Sequence, residues 1–89
     1  MTLVFLNSFK KELKKIRSQR LKQRIKTTII ELENASSLTE IKNIKSLAGF
    51  STAYRIRLGD YRLGFFYTDD IIELSRFLKR NDIYKVFPK

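Results

Sequence analysis

Arginine and apolar residues alternate in Tyr54-Arg55-Ile56-Arg57-Leu58, and a third arginine, Arg62, follows the pair Gly59-Asp60. Successive side chains of a strand point to opposite faces, so Arg55 and Arg57 share one face while Tyr54, Ile56 and Leu58 share the other. With Gly59-Asp60 as a two-residue hairpin turn, Leu58 faces Tyr61, Arg57 lies directly across from Arg62, and Arg55 lies across from Gly64. The three guanidinium groups then crowd onto one face. Like charges set opposite one another are destabilising, so stability alone does not select this arrangement. An anion held between the arginines relieves it.

The same turn rule at Asp69-Asp70 brings Phe77 opposite Arg62 and Ser75 opposite Gly64. Phe66 and Phe77 then stand on the arginine face, either to stack on nucleic-acid bases or to be covered by the C-terminal tail. Gly64 either leaves a hollow beside Arg55 where a nucleotide approaches the backbone, or marks a bend in a twisted sheet. This register turns Arg76 toward the apolar face with Ile72, Leu74 and Leu78, where an unpaired charge is costly. It calls for a carboxylate partner or a bulge. Lys79, Arg80 and Tyr84 reach the edge of the arginine face if the chain turns back across it; otherwise they form an ordinary charged chain end with Tyr84 as a hydrophobic anchor.

The chain contains no His and no Cys, which removes the commonest general base, the commonest metal ligands and the strongest nucleophile. The one adjacent acidic pair, Asp69-Asp70, reads as a turn rather than as a two-metal site. The three glycines lie far apart, so no phosphate-cradling loop exists. RNA cleavage without metal or cofactor stays feasible. Its nucleophile, the 2′-hydroxyl, is already held near phosphorus, and the remaining needs are positioning and cations at the developing negative charge. Cations around a lysine or a phenol favour its deprotonated form and so a proton acceptor.

These residues need a frame. Leu3 to Leu6 reads as a short strand that hands over to a helix at Asn7-Ser8, either of which can cap it. Apolar residues at helical spacing (Phe9, Leu13, Ile16, then Leu21, Ile25, Ile29, Leu32) predict two helices, about 8–18 and 20–34, broken near Ser18-Gln19. Asn34 to Thr39 is turn-forming; Ile41, Ile44 and Leu47 lead through a short helix or turn into an extended stretch ending at Gly49. Ala53 to Leu58, Tyr61 to Thr68 and Ile71 to Leu78 form a meander, and Asn81 to Phe87 has room for one or two helical turns before Pro88. The order predicts one α+β two-layer domain over residues 1–89, with helices on one face of an antiparallel sheet.

Eighty-nine residues bury roughly 60–65% of the surface an unfolded chain exposes, so the core is thin. The absence of cysteine fits a reducing compartment, and neither a signal peptide nor a membrane span is present, which points to the cytoplasm. The net charge of +10 attracts polyanions: nucleic acid, an anionic membrane or an acidic protein, or else it serves solubility alone.

Nearly end to end, the chain resembles the RelE/ParE superfamily of type II toxins. The likeness is carried by Ile44-Lys45-Ser46-Leu47-Ala48-Gly49, by Tyr54 through Leu63, and most specifically by the latter combined with Leu78-Lys79-Arg80-Asn81-Asp82-Ile83-Tyr84-Lys85-Val86-Phe87-Pro88. The RelE branch implies a metal-free endoribonuclease that cleaves messenger RNA in the ribosomal A site and stops translation. By position it implies Arg55 and Arg57 as substrate-binding and Arg62 as stabiliser of the transition-state phosphate; the strand register and the chain's return add Phe77 and Lys79 to the substrate-binding set. Arg80 would do the same or protonate the leaving 5′-oxygen, and Tyr84 would orient or deprotonate the 2′-hydroxyl. Many relatives carry His where this chain has Lys79, so Lys79 must substitute or activity is weaker. The resemblance also implies a RelB-like antitoxin whose acidic or amphipathic segment wraps the basic surface. Lysines on the outer helix surface would meet ribosomal RNA. Two rivals share these residues: a ParE-like inhibitor of DNA gyrase that cuts no RNA, and a passive basic RNA-binding module.

Overall fold

In the computed structural model, which describes residues 1–88, apolar alternation becomes strands and the 3.6-residue pattern becomes helices. The order is β1 (Thr2–Phe5), α1 (Asn7–Lys14), α2 (Gln19–Asn34), a 3-10 turn (Leu38–Glu40), β2 (Ile44–Ser46), β3 (Ala53–Leu58), β4 (Tyr61–Thr68), β5 (Ile71–Lys79) and α3 (Arg80–Val86). The strands form one sheet in the order β1-β5-β4-β3-β2, with β1 parallel to β5 and the remaining neighbours antiparallel. The α+β expectation holds.

Local chemistry explains the element ends. Ser18 caps α2, its Oγ accepting the Leu21 N–H at 3.2 Å. Asn7 and Ser8 do not cap α1, contrary to expectation: the cap position is Leu6, with no side-chain bond. Ser8 Oγ instead donates to the Ser75 carbonyl at 2.6 Å and ties α1 to β5. Ser37 and Glu40 close a reciprocal capping box that orders the segment after α2.

The main core lies between α1 and α2 and one face of the sheet, with Phe9, Ile25 and Leu32 meeting Ile56, Leu63, Phe65, Ile72, Leu74 and Phe77. A smaller cluster of Ala53, Ile83 and Phe87, flanked by Leu47, Phe66 and Leu78, fills part of the opposite face. There α3 covers one end of the sheet.

The β4–β5 hairpin departs from the simple register. Thr68 pairs with Ile71 across Asp69-Asp70, both at positive φ (50° and 64°), as a two-residue turn demands. A bulge between Gly64 and Phe65 then shifts the partners: Gly64 faces Arg76, Leu63 faces Phe77 and Arg62 faces Leu78. One extra residue flips every later side chain to the other face. Both solutions open to Arg76 are realised at once. Beside the bulge, Glu12 of α1 accepts from Arg76 Nε at 2.8 Å and from the Phe77 N–H at 2.7 Å.

Candidate functional site

Register on the β3 side is as the residues require: Arg57 faces Arg62, and Arg55 faces Gly64. Directly paired residues share a face, so these arginines stand together on the face opposite the main core. β2 adds Lys45, paired with Arg55 and exposed. Lys45 escaped the sequence reading because three residues are too few to establish a period; the alternation Ile44-Lys45-Ser46 was its one signal.

The arginines are held from below. Arg62 is only 8% exposed; its Nη1 donates to the carbonyls of Gly59 at 2.8 Å and Tyr61 at 3.0 Å. Arg55 Nη1 donates to the Asn43 carbonyl at 3.0 Å, and Arg57 Nη2 reaches Asn43 Oδ1 at 3.4 Å. Asn43 thus touches both guanidinium groups from a left-handed conformation, φ 62°, that asparagine tolerates better than most residues. Nothing local in the sequence marked it. The Nε atoms of Arg55 and Arg62 are buried without a hydrogen-bond partner. Among the described residues the one salt bridge is Glu12 to Arg76, so Arg55, Arg57 and Arg62 have no carboxylate partner.

α3 starts at the same end of the sheet. The Arg80 N–H donates to the Asp60 carbonyl at 2.9 Å, beside the turn that Arg62 holds. Ile83 and Phe87, one turn apart, are buried, while Arg80 and Tyr84, also one turn apart, are exposed. The chain does turn back across the arginine face.

Two expected contributors are placed elsewhere, and a third feature is covered. Phe77 is 1% exposed and stacks on Tyr61 inside the main core, at 5.1 Å between ring centroids and 9° between planes, because the bulge turns it inward. Lys79 pairs with Tyr61, so strand alternation puts Leu78 rather than Lys79 on the arginine face. Lys79 instead lines a small cleft with Glu12, Lys15, Ile16 and Asp82. The hollow at Gly64 is filled by the ring of Phe87, which also packs against Phe66. The tail covers Phe66 rather than leaving it as an open stacking surface.

What remains is a basic strip of Lys45, Arg55 and Arg57, bordered by buried Arg62 and by the α3 pair Arg80 and Tyr84. Guanidinium groups without carboxylate partners suit phosphate oxygens, which they bind by charge-assisted hydrogen bonds. Among the described residues no three His, Cys, Asp or Glu side chains gather as a metal site, and no helix is long and apolar enough to cross a membrane.

Comparison with known proteins supports the fold. Residues 3–84 match the family described as the ParE toxin of type II toxin-antitoxin systems, parDE. Toxin RelE3 of Methanocaldococcus jannaschii is 39% identical over 89 residues, covering 99% of this chain and all of the relative. The crystal structure of a RelB-RelE antitoxin-toxin complex from Methanococcus jannaschii contains a chain that superposes with a TM-score of 0.81 at 38% identity, covering 96% of this chain and 99% of that one. A chain of the intact E. coli RelBE toxin-antitoxin complex matches with a TM-score of 0.64 at 26% identity, covering 88% and 94%.

Proposed function

This chain belongs to the ParE toxin family of type II toxin-antitoxin systems and is a RelE-like toxin, and from that footing we propose that it inhibits translation by cutting messenger RNA on the ribosome without a metal. Lys45, Arg55 and Arg57 grip the RNA phosphates. The 2′-oxygen attacks phosphorus in line, the 2′,3′-cyclic phosphate forms, and the 5′-oxygen leaves with a proton as a hydroxyl. Tyr84 orients the 2′-hydroxyl or takes its proton. Arg62 stabilises the charge developing on the phosphate oxygens, and Arg80 does the same or delivers the proton to the leaving oxygen.

The observation that carries this reading is a nearly buried arginine, Arg62, facing a second arginine across the hairpin with no carboxylate among the described residues paired to either. Burying a charge without a counter-ion is costly, and a bound phosphodiester provides the missing negative charge. The exposed lysines on and just after α1 and on α2, Lys10, Lys11, Lys14, Lys15, Lys22 and Lys26, suit ribosomal RNA, where phosphate density rewards scattered cations.

A RelB-like antitoxin completes the proposal. A groove between the helices, lined by Leu13, Ile25, Ile29 and Ile30 and rimmed by Lys22 and Lys26, offers an apolar floor and a basic edge to an acidic amphipathic helix.

The test is to induce the protein in bacteria and map new 5′-hydroxyl ends on messengers. The expected result is ends that appear with the wild type and vanish with Arg80→Ala. A second reading is a ParE-like inhibitor of DNA gyrase, favoured by the match of residues 3–84 to the ParE toxin family. Inhibited supercoiling with intact messengers would select it.

A further inference from the structure

Gly64 lies mid-strand in β4, where a residue without a side chain weakens a sheet, so its presence asks for a reason. A Cβ built on Gly64 would stand 2.8 Å from both Cδ2 and Cε2 of Phe87 and 3.1 Å from its Cγ. Carbon atoms attract at about 3.5–4.0 Å and repel well inside that distance. The ring therefore rests against backbone that only glycine leaves bare, as aromatic residues cover glycines in designed sheets.

Phe87 is also the end of a lever. It directly follows α3, which has seven residues, and a helix of two turns does not persist in water on its own. Its position comes from docking: Ile83 at 0% and Phe87 at 3% exposure sink into the small second core, and the Phe87 N–H closes onto the Ile83 carbonyl at 2.8 Å. The main core touches neither residue's cluster. Arg80 and Tyr84 ride on the exposed side of this helix, so where they stand depends on how deeply Phe87 seats.

We propose that the Gly64–Phe87 contact sets the position of α3 over the sheet, making both positioning residues for Arg80 and Tyr84; the kinetic consequence rests on the nuclease reading above. The sign of one substitution separates this from ordinary strand propensity. Gly→Ala inside a strand is stabilising where space allows, whereas here the added methyl must push the ring out.

The experiment compares full-length wild type, Gly64→Ala, Phe87→Ala and the double variant by two readouts. Trypsin cleavage at Arg80 and Lys85, followed by mass spectrometry, reports undocking of α3 and should rise about tenfold in each single variant. In RNA cleavage, kcat should fall on the order of a hundredfold, while KM stays within about twofold because Lys45, Arg55 and Arg57 lie on other elements. The double variant should be no worse than the worse single one, since both break one contact. Should Gly64→Ala unfold the chain, Phe87→Ala carries the same test without touching β4.

The proposal is overturned if either folded variant keeps the wild-type trypsin pattern, if α3 is released with kcat unchanged, or if the two effects simply add. If the wild type cuts no RNA, the nuclease reading falls, while the trypsin readout and its double-variant cycle still decide whether the contact seats α3.

Discussion

Arg76, half-buried, and Arg62, nearly buried, lie on neighbouring strands, and the fold treats them oppositely. Arg76 meets Glu12, whose carboxylate also accepts the Phe77 N–H at the bulge. Arg62 has the carbonyls of Gly59 and Tyr61, a buried Nε with no partner, and Arg57 across the hairpin. A buried charge needs compensation, and at Arg76 this protein provides it from within. At Arg62 no carboxylate of the described residues does, and on the proposed function the compensating anion is the RNA phosphate. On the proposed function, the contrast separates an arginine that belongs to folding from one that belongs to binding.

The hardest blow to this contrast falls on the uncompensated side. Arg62→Ala should lower messenger cleavage in a ribosome-containing translation extract by about a hundred- to a thousandfold, as for loss of one transition-state donor. Arg62→Lys should fall between, keeping charge while losing the planar guanidinium whose Nη1 donates to two carbonyls. Cleavage of the Ala variant within about threefold of wild type, which is under 1 kcal/mol, would erase the distinction.

On the compensated side, Glu12→Gln leaves Arg76 without its counter-ion and Phe77 with a weaker acceptor. We expect a loss of about 2–3 kcal/mol in urea unfolding, below the usual cost of breaking a fully buried pair because Arg76 keeps some solvent contact. Cleavage per folded molecule should stay unchanged. A loss below about half a kcal/mol would mean that water already does the work of Glu12.

The smallest effect sharpens the comparison most. Arg57→Gln should flatten the dependence of log affinity for single-stranded RNA on log salt by about 0.7, one phosphate contact's worth. Arg76→Gln, once corrected for its lost stability, should leave that slope alone. Equal slopes for both variants would place the two arginines in one class.

Much of this was legible residue by residue. The break at Ser18-Gln19, the meander and the pairing of Arg57 with Arg62 all follow from short-range rules, because turn type and two-residue periodicity act over neighbours. The register of the second hairpin was legible as far as Phe65 and Leu74 and then failed. The bulge lies against Glu12, which is 64 positions from Arg76. Lys45 and Asn43 were missed for a related reason: β2 is three residues long and exists through its pairing with β3.

The sequence by itself determined the chemical repertoire: a net charge of +10, no imidazole and no thiol, and arginines alternating with apolar residues so that they must share a face. Only the tertiary structure decided which arginine is neutralised, that Phe77 turns inward while Phe87 fills the space over Gly64, and that Lys79 leaves the strip while Lys45 joins it. The physical reason is range. Which way a side chain points is set by the backbone within a few residues, whereas whether its charge is paired or its ring is covered depends on what distant segments bring to the same place.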